Sequence, residues 1–183
     1  MVAAIASVHG RFQLVHNQHM DVLLGAKERC DFLLIGITQP AAYAPQHISG
    51  AAPHRASRRA NPLSYFERAT LIRAALSEAG VDPAEFQTTP FPIESPELLP
   101  NYLGLDVPIY INVCEDWGRT KITLLRSIGY QVRILWENEK QISGEMVRQM
   151  ILEDKVDELV EIVPAATLRF IEDSNLKERL LSD

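Results

Sequence analysis

The sequence predicts an α/β fold, a parallel sheet with helices on both faces, and three features of its pattern carry that reading. Short apolar runs recur at residues 2–8, 31–37, 107–113 and 131–136, each of the length of a buried parallel strand. Stretches with helical apolar spacing alternate with them. The helical stretches open on serine, at Ser64 and Ser143, and close on glycine, at Gly80 and Gly129. A strand, a helix and a strand in succession form a right-handed crossover. The carboxyl ends of such strands share one edge of the sheet, where α/β proteins bind ligands.

The elements follow in order. The first run leads into Gly10-Arg11-Phe12-Gln13-Leu14-Val15-His16-Asn17-Gln18-His19, and a helix is expected over residues 17–30 before the second strand. Residues 38–63 are polar, contain Pro40, Pro45, Pro53 and Pro62, and are too long for a plain connection. With His47, His54, Arg55, Arg58 and Arg59, this segment fits either a solvated loop or a lid whose arginines close over phosphates. Ser64 and Glu67 have capping-box spacing and open a helix that stops at Gly80, with Phe66, Ala69, Ile72 and Leu76 as its expected core face. Residues 85–91 alternate as a strand, and Ser95-Pro96 predicts a capped short helix with proline at its first position. The strand at 107–113 is followed by a helix to Ile128, the strand at 131–136 and a polar linker at 137–141. Ser143 opens a helix running to Glu153, residues 164–170 begin another, and the charges of 172–179 read as a solvated helix face.

Length and composition bound the function. The 183 residues are expected to form one domain over 1–183, with 143–183 as its C-terminal helical segment. A net charge of -6 excludes a general affinity for nucleic acid, so any anion site is local. Two cysteines, no signal peptide and no long apolar span predict a soluble protein of the reducing cytoplasm, without a membrane partner.

The chemistry concentrates at two helix starts. The stretch from Gly10 to His19 is a strand-to-helix turn that offers free backbone N–H groups, a positive helix end, Arg11, and His16 and His19 three residues apart. Alone, the histidine pair also fits cap or surface chemistry or a metal pair. Zinc is disfavoured, because Cys30 and Cys114 fall in apolar runs without ligand spacing. The second start is Ser143-Gly144-Glu145-Met146-Val147-Arg148, where Ser143 suits an N-cap and Arg148 lies early in the helix. Two such starts with basic side chains outline a polyphosphate site. Trp117, after the strand at 107–113, fits either packing or a stacking surface for a base or acceptor ring.

These segments resemble the nucleotidyltransferase superfamily with a histidine-x-glycine-histidine signature, and more closely its nicotinamide mononucleotide adenylyltransferases of the archaeal and bifunctional bacterial type. Gly10 to His19 is similar to that family's Gly-Arg-Phe-Gln-Pro-x-His-x-Gly-His. Asn61-Pro62-Leu63-Ser64-Tyr65-Phe66-Glu67-Arg68 is similar to its Asn-Pro-x-Ser/Thr-x-x-Glu-Arg, and Ser143 to Arg148 resembles its Ser-Gly-Thr-x-x-Arg. The chain departs from the pattern at Leu14 in place of proline, Gln18 in place of glycine and Glu145 in place of threonine.

The resemblance implies a Rossmann-like sheet and a nucleotidyltransferase that moves a nucleoside monophosphate from ATP or CTP to a small phosphate-bearing acceptor and releases pyrophosphate. It implies magnesium on the phosphates without a protein metal site, a homo-oligomer, and nicotinamide mononucleotide adenylylation, a step of NAD biosynthesis, as the nearest activity. Catalysis falls by resemblance to His16, His19, Arg11 and Arg148. Nucleotide binding falls to Gly10, Arg11, Phe12, Gln13, Gln18, Ser143, Gly144, Glu145 and Arg148, and acceptor binding to Arg58, Arg59 and Trp117. The departures keep two other readings open. One is a cytidylyl- or adenylyltransferase for another small phosphate or phosphonate. The other is a nucleotide-binding protein without turnover, in which Glu145 repels the triphosphate tail.

Overall fold

The computed structural model describes residues 2–40, 57, 59–114 and 116–182. Most of the 38–63 segment, with His47, His54, Arg55 and Arg58, lies outside the described residues. The chain divides into two compact units, one of residues 1–11, 18–39 and 82–141, the other of residues 12–17, 40–81 and 142–183.

The first unit is built on a five-stranded sheet of order β3-β2-β1-β4-β5, with β1 at Ala3–Gly10, β2 at Cys30–Ile37, β3 at Phe86–Pro90, β4 at Ile109–Val113 and β5 at Val132–Glu137. All pairings are parallel, so the carboxyl ends share one edge. From β1 the chain steps outward to β2 and β3, then crosses to the other side of β1 for β4 and β5. The strand order therefore reverses between β1 and β4, which is where open α/β sheets form a ligand crevice.

Helices α1 (Asn17–Lys27) and α3 (Asp116–Ile128) cover opposite faces of this sheet. Gly25 of α1 lies against Trp136, the partner of Asn112, whereas Gly118 of α3 lies against Val113, and neighbours along a strand point to opposite faces. On the α3 side, Phe91, Leu99, Leu103, Ile109, Ile111 and Leu125 form one buried cluster. Gly36 is required there, because a Cβ on it would stand 2.6 Å from the Phe91 ring. Leu99 comes from a 3-10 helix, Pro96–Asn101, in which Ser95 makes no side-chain cap bond, contrary to the expectation from sequence. The tighter helix engages the Ser95 carbonyl instead, 2.9 Å from the Leu98 N–H.

The second unit contains α2 (Tyr65–Glu78), α4 (Gly144–Leu152), a 3-10 helix at Val156–Glu161, α5 (Ala165–Asp173) and α6 (Leu176–Leu181). The capping box of α2 forms as expected: the Glu67 N–H donates to the Ser64 hydroxyl at 3.2 Å, and the Ser64 N–H donates to the Glu67 carboxylate at 2.7 Å. The far end of α2 anchors α5, since Glu78 accepts from the Ala166 N–H at 2.8 Å and from Arg169.

Two expectations are corrected here. Phe66 is not core but 77% exposed, and the buried stripe of α2 is Arg68, Leu71, Ile72, Ala75 and Leu76. Phe66 precedes that stripe by two residues, about 200° of helix rotation, which turns it to the opposite side. Arg68 is fully buried, with its Nε donating to the Ser64 carbonyl at 3.2 Å. Nor is the last charged stretch one solvated face. The chain breaks at Ser174 and Asn175, α6 buries Leu176 and Leu180, and Arg179 turns inward.

Arg179 donates from Nη1 to the Glu67 carboxylate at 2.6 Å, from Nη2 to the same carboxylate at 3.1 Å, and to the Pro62 carbonyl. The Arg179 guanidinium, with help from Ser64, holds the Glu67 carboxyl at about 2 rather than its ordinary 4.5. A carboxyl whose pKa is depressed on folding stabilises fully above its unfolded value and loses that contribution as pH falls through the folded one. Arg179→Ala is therefore expected to lower the unfolding midpoint at neutral pH, with the gap from the parent protein closing between pH 4.5 and about 2. Urea titrations across that window test this, and a gap that does not change with pH would refute it.

Candidate functional site

The first motif leaves β1 through Gly10 and Arg11 and enters a loop whose shape is unusual for its residue types. Phe12 and Leu14 have positive φ, 50° and 80°, yet their side chains are 3% and 0% exposed. Left-handed backbone at bulky residues is costly and persists only where the surroundings impose it. The surroundings here are polar bonds to distant parts of the second unit. The Gln13 amide pairs with Leu63 in both directions, donating to its carbonyl at 3.0 Å and accepting from its N–H at 2.9 Å. The Val15 carbonyl accepts from the Thr167 hydroxyl at 2.9 Å. Asn17 donates through its N–H to the Ile162 carbonyl at 2.9 Å and through Nδ2 to the Glu161 carbonyl at 3.0 Å. Leu14 stands where the resembled family has proline, and φ of 80° is closed to proline, so the backbone takes a path at this residue that proline forbids.

The second motif meets this loop within the same unit. Ser143 caps α4 by accepting from the Met146 N–H at 3.1 Å. Gly144 follows against the loop, and a Cβ there would be 2.8 Å from the Gln13 carbonyl and 3.0 Å from Arg148 Nη1. Arg148 is 6% exposed and donates from Nη1 to that same carbonyl at 2.9 Å. The structure thus brings together Gln13, Gly144 and Arg148, residues that the sequence assigns to two separate motifs. His16 is buried in this unit, and Glu145 is exposed in the first turn of α4. Arg59 is near α4 as well, donating to the Gln149 side chain at 3.3 Å, whereas Arg58 lies outside the described residues.

In the first unit, Gly10 ends β1, Gln18 and His19 lie in the first turn of α1, and His19 is half-buried. The Gln18 amide, at the position where the family has glycine, donates to the Glu139 carbonyl at 3.1 Å, in the segment after β5. Trp117 is 39% exposed in the first turn of α3, on the carboxyl side of β4. Sequence reasoning missed three polar residues at this edge. Asn112 donates from Nδ2 to Asn138 Oδ1 at 3.0 Å. His9, the penultimate residue of β1, stacks face to face on Phe91, with ring centroids 4.5 Å apart and planes 7° from parallel. The available signal was a histidine near the end of a strand whose other polar side chain is Ser7, directly before the Gly-Arg of the motif.

Among the described residues, no group of three or more histidine, cysteine, aspartate or glutamate side chains is placed to hold a metal ion. No helix among them is long and apolar enough to cross a membrane.

No protein-family model matches the chain. It is 33% identical to phosphonoformate cytidylyltransferase of Streptomyces viridochromogenes over 180 residues, which cover 98% of this chain and 96% of that protein. It is 28% identical to a nicotinamide-nucleotide adenylyltransferase of Saccharolobus solfataricus over 82% of this chain and 81% of that protein. Among solved structures, the bifunctional NMN adenylyltransferase/ADP ribose pyrophosphatase of Francisella tularensis superposes on all of this chain with a TM-score of 0.70 at 17% identity. The chain spans 53% of that longer protein, and the likeness shows the same α/β fold. With a relative at one-third identity matched nearly end to end, this chain belongs to the nucleotidyltransferases, together with phosphonoformate cytidylyltransferase and the nicotinamide-nucleotide adenylyltransferases.

Proposed function

We propose that this nucleotidyltransferase moves cytidine monophosphate from CTP to a small phosphonate- or phosphate-bearing acceptor and releases pyrophosphate. The observation that carries the nucleotide half is the bond from Arg148 to the Gln13 carbonyl across Gly144, which fixes the first motif loop against a capped helix start. Such a start presents N–H groups and a positive helix end to phosphate. The cytidylyl assignment is supported by the higher identity, over more of the chain, to the phosphonoformate enzyme. Nicotinamide mononucleotide adenylylation is the second reading, favoured by several further relatives of that activity at 26–29% identity.

In either reaction an acceptor oxygen attacks the α-phosphorus, the bond to the β-phosphate bridging oxygen breaks, and pyrophosphate carries away the electron pair. Positioning and charge stabilisation suffice, and no side-chain nucleophile is required. His16 and His19 donate to the α- and β-phosphates, and Arg11 holds both nucleotide and acceptor. Ser143, the N–H groups after it and Arg148 hold the leaving pyrophosphate. Phosphate-borne magnesium suits this residue set, because magnesium binds through substrate phosphates and one or two carboxylates, and Glu145 is an exposed carboxylate in the first turn of α4. Bound there, the cation would neutralise charge on the phosphates and relieve their repulsion by Glu145.

Pyrophosphate release with magnesium tests the proposal, with CTP and ATP each paired with phosphonoformate and with nicotinamide mononucleotide. Release with CTP and phosphonoformate is the expected result. Release confined to ATP and nicotinamide mononucleotide would establish the second reading in its place.

A further inference from the structure

We propose that His9 and Lys121 form the seat for an anionic oxygen group of the acceptor, a recognition element outside all three sequence motifs. The inference rests on the nucleotidyl-transfer reading above. It begins with position: His9 is the penultimate residue of β1, beside the reversal of strand order between β1 and β4, at the edge where a ligand crevice forms. Its ring is held in one orientation by the Phe91 stack, and Phe91 itself occupies the space that Gly36 leaves by having no side chain. In parallel register His9 is the partner of Gly36, so ring, glycine and Phe91 lie on one face of the sheet.

Both His9 ring nitrogens are buried, and neither has a hydrogen-bond partner. A buried polar group without a partner costs free energy, and such groups in folded proteins call for a specific explanation. A phenylalanine would make the same stack on Phe91 without that cost, so packing alone does not account for a histidine here.

The surroundings define the missing partner. Burial, and after it the positive charge of Lys121, holds His9 well below its usual pKa, so the ring is neutral at pH 7. A neutral imidazole offers one N–H donor and one acceptor nitrogen. With the Lys121 ammonium acting on the same ring, the complementary group is one that accepts hydrogen bonds and carries negative charge, a carboxylate or a phosphonate. Both nitrogens are covered, so entry of that group includes a shift of the side chains over them.

The test uses the full chain and two readouts. His9→Phe keeps the stack and removes both nitrogens, and it is expected to fold with undiminished thermal stability. Its KM for the acceptor is expected to rise at least about tenfold while its KM for the nucleoside triphosphate stays within about twofold, the pattern of a lost acceptor contact. In the parent protein labelled with nitrogen-15 histidine, phosphonoformate without nucleotide is expected to shift the His9 ring signals, and not in Lys121→Met at the same concentration. An unchanged acceptor KM in His9→Phe, or His9 signals unmoved at saturating phosphonoformate, would overturn the proposal. Should no acceptor support pyrophosphate release, the nucleotidyl-transfer reading fails, and the ring signals still decide whether His9 meets the anion.

Discussion

Replacing His19 with alanine is expected to lower turnover on the order of 10²–10³-fold, the usual loss when one preorganised donor to a reacting oxyanion is removed. The fold should persist, because His19 is only half-buried, and the inward contacts of α1 come from Met20, Leu23, Gly25 and Ala26. That separation makes His19 a cleaner probe than His16, which is 4% exposed, so that its removal would also disturb packing. In the mechanism proposed above, the imidazole in the first turn of α1 adds a directed donor to the positive helix end, so its loss should fall on the chemical step more than on nucleotide affinity. Steady-state kinetics beside a thermal melt make the comparison. Turnover within a few-fold of the parent protein, at equal stability, would remove the central donor from the mechanism.

Leu14→Pro should be the most damaging single change to the loop. Leu14 is fully buried at φ 80°, a backbone angle outside proline's reach, so the substitution must rebuild the turn as well as lose the side chain. Loss of a buried leucine alone typically costs about 2–5 kcal/mol, and displacement of Gln13 and Val15 would break their bonds to Leu63, Arg148 and Thr167. Leu14→Gly separates the two effects, since glycine loses the same packing but accepts positive φ without strain. In urea unfolding, proline should fall well below glycine. Equal midpoints would mean that the left-handed backbone at residue 14 contributes nothing to the fold.

What was legible in the sequence was what local physics decides. Four strands followed from short apolar runs and β3 from the alternation of residues 85–91, α2 and α4 from the serines that cap them, and the ends of α2 and α3 from Gly80 and Gly129, both of which have positive φ. The motifs located both helix starts. What was not legible depends on partners far along the chain. Phe66 looked like core because apolar spacing alone does not show that the arginine two residues later occupies the interior. Arg179 looked solvated because its carboxylate partner is 112 residues earlier. His9 escaped notice because a single histidine in a strand has no periodic signature, and its unpaired nitrogens are visible only in three dimensions.

The bonds that shape the first motif loop have a consequence for synthesis. The Gln13 carbonyl receives Arg148 from 135 residues later, the Val15 carbonyl receives Thr167 from 152 residues later, and Asn17 reaches Glu161 across 144. Leu63 follows the loop after 50 residues, but these three partners are not made until more than a hundred residues later. At about 5–20 residues per second the chain spends on the order of 7–30 seconds with strand β1 made and these bonds unmade. A chain that stops before Arg148 would therefore carry β1 and the first motif without the bonds that hold the loop to α4 and α5.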